Sequence, residues 1–149
     1  MTSESKRTGG SSTMEHDDES RAEVQDFLEG LAEALTTGDG KGVAALWAVP
    51  ALVLGDHDTI LLTTLEQVEH FFGGAREHYN AKGIVDTRPE ILDLRWTSPR
   101  IALAEVRWPY LDADGRRKGG ETSTYTLRRH ESGALRIQGV VMHGTRADS

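Results

Sequence analysis

The chain has 149 residues, of which 37% are hydrophobic and 28% are charged, a balance typical of globular proteins. Its net charge of −7 predicts repulsion of polyphosphates, so we expect no nucleic-acid partner. The lack of cysteine excludes disulfides, thiolate nucleophiles and cysteine-ligated zinc. Neither a membrane-spanning apolar run nor a signal-peptide pattern is visible, so we expect no membrane partner and a cytoplasmic location.

Composition divides the chain into three segments. Residues 1–19 are rich in Ser, Thr, Gly, Glu and Asp and have almost no apolar side chains, which predicts a disordered N-terminal tail. Residues 20–145 are predicted to form a single α+β domain, and residues 146–149 a short C-terminal tail. A domain of this size buries about two thirds of its unfolded surface, so one core is expected.

The first part of the domain is predicted to be a helical hairpin. Ser20 and Glu23 have the spacing of a capping box, in which each side chain satisfies a free amide of the first helical turn. Apolar residues then recur at steps of three and four over positions 24–35, which indicates one buried helical face. A short second helix is predicted to end near Val49, because Pro50 disfavours helix in the residue before it.

A short β-hairpin and a third helix follow. Apolar runs at 52–54 and 60–62 flank turn-forming residues, which is typical of a hairpin. Thr63 or Thr64 is the predicted N-cap of the third helix, since each has Glu or Gln three residues later. The apolar stripe of this helix extends to Tyr79 and is predicted to end at Gly83.

The remaining sequence predicts four strands, at about 91–96, 100–110, 121–129 and 135–144. Short connections make successive strands antiparallel neighbours. Asp114 and Gly115 suit one tight turn, and residues 131–133 suit a three-residue loop ending in a left-handed glycine. Two consecutive hairpins are therefore expected.

These turns predict a register, because residues opposite each other share a face of the sheet. Trp108 is placed opposite Glu121, and Glu121 opposite His143, which forms one polar row at the end of an otherwise apolar face. The other predicted pairs are Val106 with Ser123, Ala104 with Tyr125, Ala102 with Leu127, Leu127 with Ile137, Tyr125 with Gly139, and Ser123 with Val141.

The element order, with Leu35, Gly38 and Asp39 before Trp47, resembles the nuclear transport factor two-like superfamily over residues 24–143. The most similar branch is the SnoaL-like and ketosteroid-isomerase-like one. The resemblance implies three N-terminal helices packed in the concave face of a strongly curved, mainly antiparallel sheet. This cystatin-like cone would open into a small-molecule pocket.

The resemblance also allows a test for isomerase chemistry, which in that branch uses an Asp base, a Tyr and a protonated Asp. Matching Gly38 and Asp39 to the family pattern brings Leu31 to the Tyr position, Gly55 to the base position and Thr124 near the acid position. None of these side chains performs the required chemistry. The isomerase catalytic set is therefore predicted to be missing.

Glu121 and His143 are the candidate catalytic residues, because a carboxylate that orients an imidazole makes a general base near neutral pH. The alternative is a solvated cross-strand pair at the rim of the sheet. Gly119 and Gly120 leave the register open, since glycine favours a bulge.

No cofactor and no metal are predicted. Asp56, His57 and Asp58 are adjacent in a tight turn, where three side chains rarely converge on one ion. A hard cation also requires more oxygen ligands than this turn offers.

Aromatic and small polar residues are the candidate ligand-binding side chains. Buried tyrosine hydroxyls need hydrogen-bond partners, and a ligand or water in a cavity would supply them. The alternative is plain core packing, which is the commoner role of aromatics at this spacing. The candidates are Trp108, Tyr125, Ser123, Trp47, Phe72 and Tyr79.

The outer face of the predicted sheet combines Ile101 and Leu103 with Thr122, Thr124 and Thr126. A mixed apolar and threonine surface on central strands favours a homodimer formed through this face. Light scattering that shows a monomer at high concentration would contradict this expectation.

Three functions remain open. The first is a binding domain for a small apolar or aromatic ligand, without the isomerase set. The second is a cyclase, isomerase or hydrolase acting through Glu121 and His143, and the third is a structural homodimerisation module whose cone is filled by side chains. A cavity with a polar mouth beside Trp108 and Tyr125 would favour the first two.

Overall fold

A computed structural model describes the backbone of residues 4–146 and the side chains of residues 18–144. The helices are α1 (Glu4–Thr36), α2 (Gly40–Ala44), α3 (Leu65–Phe72) and α4 (Ala75–Asn80). The strands are β1 (Trp47–Leu54), β2 (Thr59–Leu62), β3 (Asp86–Thr87), β4 (Glu90–Ser98), β5 (Ile101–Leu111), β6 (Arg117–Arg129) and β7 (Leu135–Arg146).

All seven strands form one open sheet, in the order β2-β1-β7-β6-β5-β3, with β4 also paired to β5. The β1–β7 pair is parallel, and the other pairs are antiparallel. Apolar residues of α1, including Val24, Leu28 and Leu31, belong to the same buried core as Ala104 and Leu127 of the sheet. No helix in the described part of the chain is both long and apolar enough to cross a bilayer.

Helix α1 continues on the N-terminal side of Ser20, so the capping box predicted at Ser20 and Glu23 is wrong. Both side chains instead bind the sheet. Trp96 Nε1 donates a hydrogen bond to Ser20 Oγ, and Arg129 donates two hydrogen bonds of 2.8 and 2.9 Å to the Glu23 carboxylate. These bonds hold the helix against β4 and β6.

The predicted tails are only partly covered by the described residues. Residues 1–3 and 147–149 are outside the described backbone, and the side chains of residues 4–17 are outside the described set. Residues 4–19 belong to α1, whose Glu4 start lies within the segment predicted as a tail. The prediction of an N-terminal tail at residues 1–19 and a C-terminal tail at 146–149 stays a prediction.

The second helix is shorter than predicted, because α2 ends at Ala44 and β1 already begins at Trp47. Ile137 N of β7 donates to Leu46 O over 2.8 Å, which draws the chain into the sheet before Pro50 is reached. The helix ends early because the chain pairs with a strand that is distant in sequence. The periodicity of residues within the helix gives no signal of such pairing.

The third helical segment is capped as predicted at Thr64. Thr64 Oγ1 accepts from Gln67 N over 3.1 Å, and Gln67 Oε1 accepts from Thr64 N over 3.3 Å. The single helix predicted to reach Gly83 is instead two helices, α3 and α4. Gly73 and Gly74 separate them, and their low helix propensity accounts for the break.

The predicted register of β5 with β6 is confirmed at all four pairs, including Trp108 with Glu121 and Ala104 with Tyr125. Gly115 adopts a φ of 80° in the connecting turn, where a residue without a Cβ is favoured. The face that carries Trp108 and Tyr125 is the buried one. This hairpin forms the floor of the candidate site.

The predicted register of β6 with β7 is correct only at Leu127 with Ile137. Beyond this pair, β7 contains one extra residue, so Tyr125 lies opposite Val140 and not opposite Gly139. A shift of one residue exchanges the two faces of a strand. All predicted pairs of β7 beyond Ile137 are therefore wrong.

Candidate functional site

A cavity of about 100 Å³ lies between the helices and the inner face of the sheet. Its walls come from the end of α1, from α3 and α4, from residues 84–87, and from β5, β6 and β7. Most of the wall is apolar. The aromatic lining consists of Phe72, Tyr79, Trp108, Tyr110 and Tyr125, and the polar lining includes Thr87, Glu121 and Ser123.

The carboxylate of Glu121 is held by two tyrosines in this cavity. Tyr110 donates a hydrogen bond to Glu121 Oε2 over 3.0 Å, and Tyr79 donates a longer one to Oε1 over 3.4 Å. The rings of Tyr79 and Tyr110 lie against each other, with centroids 5.4 Å apart. Each carboxylate oxygen therefore has its own phenol donor, which fixes the orientation of the group.

Burial and the negative charge of Glu121 keep the tyrosines protonated. Burial, then the Glu121 carboxylate, raises the pKa of Tyr79 to about 12. The same two causes raise the pKa of Tyr110 and that of Tyr125 well above the ordinary value of 10.0. All three phenols are hydrogen-bond donors across the physiological pH range, and none is a base.

We expect these tyrosines to ionise only as the protein unfolds. The pKa of Tyr79 is about 12 in the fold against 10.0 for the free side chain, so its contribution to stability is complete below pH 10 and is lost as pH rises toward 12. The chain has 3 tyrosines, and the pKa of each is raised. Phenolate absorbance and circular dichroism, recorded together during alkaline titration, should change together above pH 10.

The Tyr79→Phe variant provides the control for this titration. It removes one ionisable phenol, and we expect its alkaline unfolding to begin at higher pH than that of the parent protein. Phenolate formation centred near pH 10 in a fully folded protein would contradict the described environment of these rings.

Trp108 and Tyr125 belong to the floor of the cavity. Their rings meet edge to face, with centroids 6.2 Å apart. Hydrogen bonds from Trp108 and Ser123 moderate the rise in the pKa of Tyr125. Ser123 is 3% exposed, so a small polar side chain lies within a mainly apolar floor.

One buried hydroxyl in the lining has no hydrogen-bond partner among the described side chains and backbone. Thr87 Oγ1 is buried and makes no hydrogen bond among the described residues, although Thr87 N donates to Asp86 Oδ1 over 2.8 Å. Such a group favours a ligand or water in contact with it, because an unmade buried hydrogen bond is costly. The side of the lining that contains Arg76 reaches solvent.

The family of the chain follows from comparison with known proteins. A family model described as NTF2-like protein (DUF6841) matches residues 18–145. The chain belongs to this NTF2-like family. No curated protein matches the sequence. The resemblance to the nuclear transport factor two-like superfamily is thereby confirmed.

Solved structures from other organisms share the cystatin-like fold of this NTF2-like chain. A domain of unknown function from Nostoc punctiforme has a TM-score of 0.66 at 17% identity, over 87% of this chain and 78% of that one. Aln2 from a Streptomyces species has a TM-score of 0.63 at 19% identity, over 84% of this chain and 90% of that one.

A third solved structure is a ketosteroid isomerase-like protein from Erwinia carotovora atroseptica. It has a TM-score of 0.58 at 13% identity, over 82% of this chain and 93% of that one. Identities this low establish the fold alone.

Most residues predicted from the sequence as ligand-binding line the cavity of this NTF2-like domain. They are Trp108, Tyr125, Ser123, Phe72 and Tyr79, and Glu121 joins them. Trp47 is not part of the lining, since it is buried at 3% exposure and packs against Phe72 with ring centroids 5.4 Å apart. Whether the lining residues bind a ligand stays a prediction.

The structure does not bring His143 to Glu121. Glu121 lies opposite Thr145, and the irregularity in β7 turns His143 to the outer face of the sheet. There its Nε2 lies 2.8 Å from Thr124 Oγ1, and the side chain is exposed. The predicted pair of orienter and base is therefore wrong, because the register on which it depended does not continue to the end of β7.

Several lining residues were not among the sequence candidates, including Tyr110, Met142 and Thr87 on strands of the sheet. Tyr110 is two positions after Trp108 on β5, and strand alternation alone would have placed both on one face. Met142 reaches the cavity because of the shift in β7. Thr87 belongs to β3, which pairs through Thr87 with Tyr110 and has only two residues, too few for a periodic signal.

Metal ligands do not cluster in the part of the chain with described side chains. No group of three or more His, Asp or Glu residues among them is arranged to hold a metal ion. Asp56, His57 and Asp58 lie in the turn between β1 and β2, closed by a hydrogen bond from Gly55 N to Asp58 O of 2.9 Å. Their role as turn residues is in agreement with the sequence interpretation.

Proposed function

We propose that this protein binds a small molecule in the cavity between the helices and the sheet. The observation that carries the proposal is the Glu121 carboxylate, which Tyr79 and Tyr110 orient within a mainly apolar wall. Binding sites combine apolar walls with a few fixed polar groups, whereas a purely structural core rarely encloses a carboxylate without a cationic partner. In this proposal the helices cover the concave face of a curved sheet, and the cavity is the remaining hollow.

The size of the cavity limits the ligand. Its volume is about 100 Å³, which is smaller than a dry apolar cavity of about 150 Å³ that binds benzene. The ligand is therefore either compact or inserts one group and leaves the rest outside. Ser123 and the free hydroxyl of Thr87 would orient its polar atoms.

The other two functions have less support. A module with a filled cone would leave no lined cavity and would not need a carboxylate inside it. An enzyme acting through Glu121 and His143 would need the two side chains on one face, and they lie on opposite faces. A homodimer through the outer face, where Val141 is 38% exposed near Thr124, remains a proposal that is compatible with ligand binding.

A fragment screen by ligand-observed NMR tests the proposal when it is run on matched variants. Ser123→Leu adds a larger side chain that points into the cavity, and Thr124→Leu makes the same addition on the outer face of the same strand. We expect fragments to bind the parent protein and Thr124→Leu but to lose at least about tenfold in affinity for Ser123→Leu. Circular dichroism establishes that each variant is folded.

Two results would overturn the proposal. The first is that a broad fragment library, which includes terpenoid and aromatic metabolites, yields no ligand for the parent protein. The second is that the ligands bind Ser123→Leu as tightly as they bind the parent protein, because their site would then lie outside the cavity. If Ser123→Leu fails to fold, Met142→Phe adds bulk to the same cavity from β7.

A further inference from the structure

The cavity has the composition of an aromatic cage around one fixed negative charge. Tyr79 and Tyr110 donate hydrogen bonds to Glu121, Trp108 lies opposite Glu121 on the neighbouring strand, and Tyr125 lines the same cavity. The faces of these rings carry negative electrostatic potential, which attracts a cation. A carboxylate in such a cage adds a full charge of the same sign.

The neighbours of the carboxylate within the described side chains are neutral donors. The phenols of Tyr79 and Tyr110 orient Glu121 without neutralising it. Arg107, Lys118 and Arg129 form ion pairs with other carboxylates, those of Glu90, Asp112 and Glu23. Because charge interactions strengthen as water is excluded, a ligand that brings a positive charge gains most at this position.

The charges at the edge of the cavity do not reverse this preference. Asp86 and Arg76 also line it, so the lining holds two carboxylates against one guanidinium. Arg76 is exposed, and its side chain lies against the backbone at Gly38, where a Cβ would meet Arg76 Cδ at 3.0 Å. The net charge of −7 on the whole chain further favours the approach of cations.

The donors and acceptors of the lining favour an alkylated ammonium over a primary one. A primary ammonium has three N–H groups to satisfy, whereas Tyr79 and Tyr110 already occupy one position on each oxygen of Glu121. An alkylated ammonium needs few or no acceptors and is attracted to aromatic rings and carboxylate through its charge. Its compact apolar shell also suits a cavity of about 100 Å³.

We infer that the cavity accepts the head group of an organic monocation, an alkylated ammonium that contacts Glu121 within the cage of tyrosine and tryptophan rings. This inference rests on the proposed function, since it names the ligand class of the same cavity. The negative charge of Glu121 would repel an anion, and a neutral ligand would leave that charge without a counter-ion.

Isothermal titration calorimetry with choline and its neutral isostere 3,3-dimethyl-1-butanol tests the inference. The two probes have nearly the same shape and differ in the charge of the head group. We expect choline to bind at least about tenfold more tightly than the isostere, in keeping with a cation–π and carboxylate contribution of about 1–2 kcal/mol.

Glu121→Gln and Glu105→Gln form the matched pair of variants. Both remove one negative charge, but Glu105 lies opposite Thr124, on the outer face of the sheet. We expect Glu121→Gln to lose the preference for choline over the isostere, whereas Glu105→Gln keeps it. The amide oxygen of glutamine accepts from one of the two tyrosines, and its NH2 group can donate to the phenol oxygen of the other, so both phenols keep a partner.

The outcomes separate this inference from the proposed function. If the isostere binds as tightly as choline, the cavity binds small molecules and the inference about charge is wrong. Equal losses in both variants would mean that overall charge, and not Glu121, attracts the cation. No choline binding at tens of millimolar also overturns the inference, while the fragment screen decides independently whether the cavity binds any ligand.

Discussion

Replacing Leu127 with alanine is expected to lower the free energy of unfolding by about 2–5 kcal/mol. Leu127 is 0% exposed and lies on β6 between Ala102 of β5 and Ile137 of β7. Hydrogen-bonded strands on both sides limit how far the structure can collapse around the missing atoms. The cost should therefore include a cavity term as well as the lost burial. Urea unfolding, followed by circular dichroism, measures the difference.

Leu61→Ala is the matched control for this substitution. Leu61 also lies on a strand, but it is 57% exposed on β2, so we expect a change within about 0.5 kcal/mol. Equal losses for the two variants would contradict the assignment of Leu127 to the core that joins the helices to the sheet.

The parts of the fold that the sequence predicted correctly are those determined by neighbouring residues. The hairpin of β5 and β6 depends on a tight turn at Gly115, and every predicted pair across it is found. The cap at Thr64 depends on a residue three positions away, and it also forms. Local turn and cap chemistry is complete within a few residues, so a pattern can report it.

The register of β7 could not be predicted in the same way. The extra residue is Gln138, whose Nε2 donates to Pro50 O over 2.9 Å and whose Oε1 accepts from Arg128 Nε over 2.7 Å. The irregularity occurs where β7 also pairs in parallel with β1, between Trp47 and Leu52. Parallel pairing between distant segments leaves no alternation or turn signal in the sequence. Because of this error, the prediction placed His143 on the inner face of the sheet, whereas it lies on the outer face.

The candidate site was predicted in part for the same reason. Trp108, Glu121 and Tyr125 were correctly placed on one inner face, because their positions follow from the β5–β6 hairpin. The tyrosine partners of Glu121 were not identified, since Tyr79 arrives from α4 and Tyr110 was not considered, although strand alternation places it on the face of Trp108. A helix that packs on a sheet brings together residues that are far apart in the chain, and no sequence pattern links such residues.

The substitution Gly120→Ala is expected to lower the free energy of unfolding by about 1–3 kcal/mol and to disturb the candidate site. A Cβ at this position would lie 2.8 Å from Trp108 O and 3.2 Å from Pro109 Cα. Both are backbone atoms of the paired strand β5, so no flexible side chain can move away. The two strands must separate at the residue next to Glu121, which weakens its hydrogen bonds to Tyr79 and Tyr110.

Gly139→Ala on the adjacent strand β7 is the control, since its Cβ would meet Leu52 O at 3.6 Å and Thr126 Cβ at 3.8 Å, which are ordinary contacts. We expect this variant to remain within about 0.5 kcal/mol of the parent protein.

Gly120→Ala should in addition move the alkaline ionisation of the tyrosines back toward pH 10, their ordinary pKa, as the phenols gain access to water. Equal stability of the two variants would mean that β5 and β6 do not approach each other as closely at Gly120 as described. Unchanged tyrosine ionisation in a destabilised Gly120→Ala variant would show instead that the Glu121 site is held by the helices and not by the strand pair.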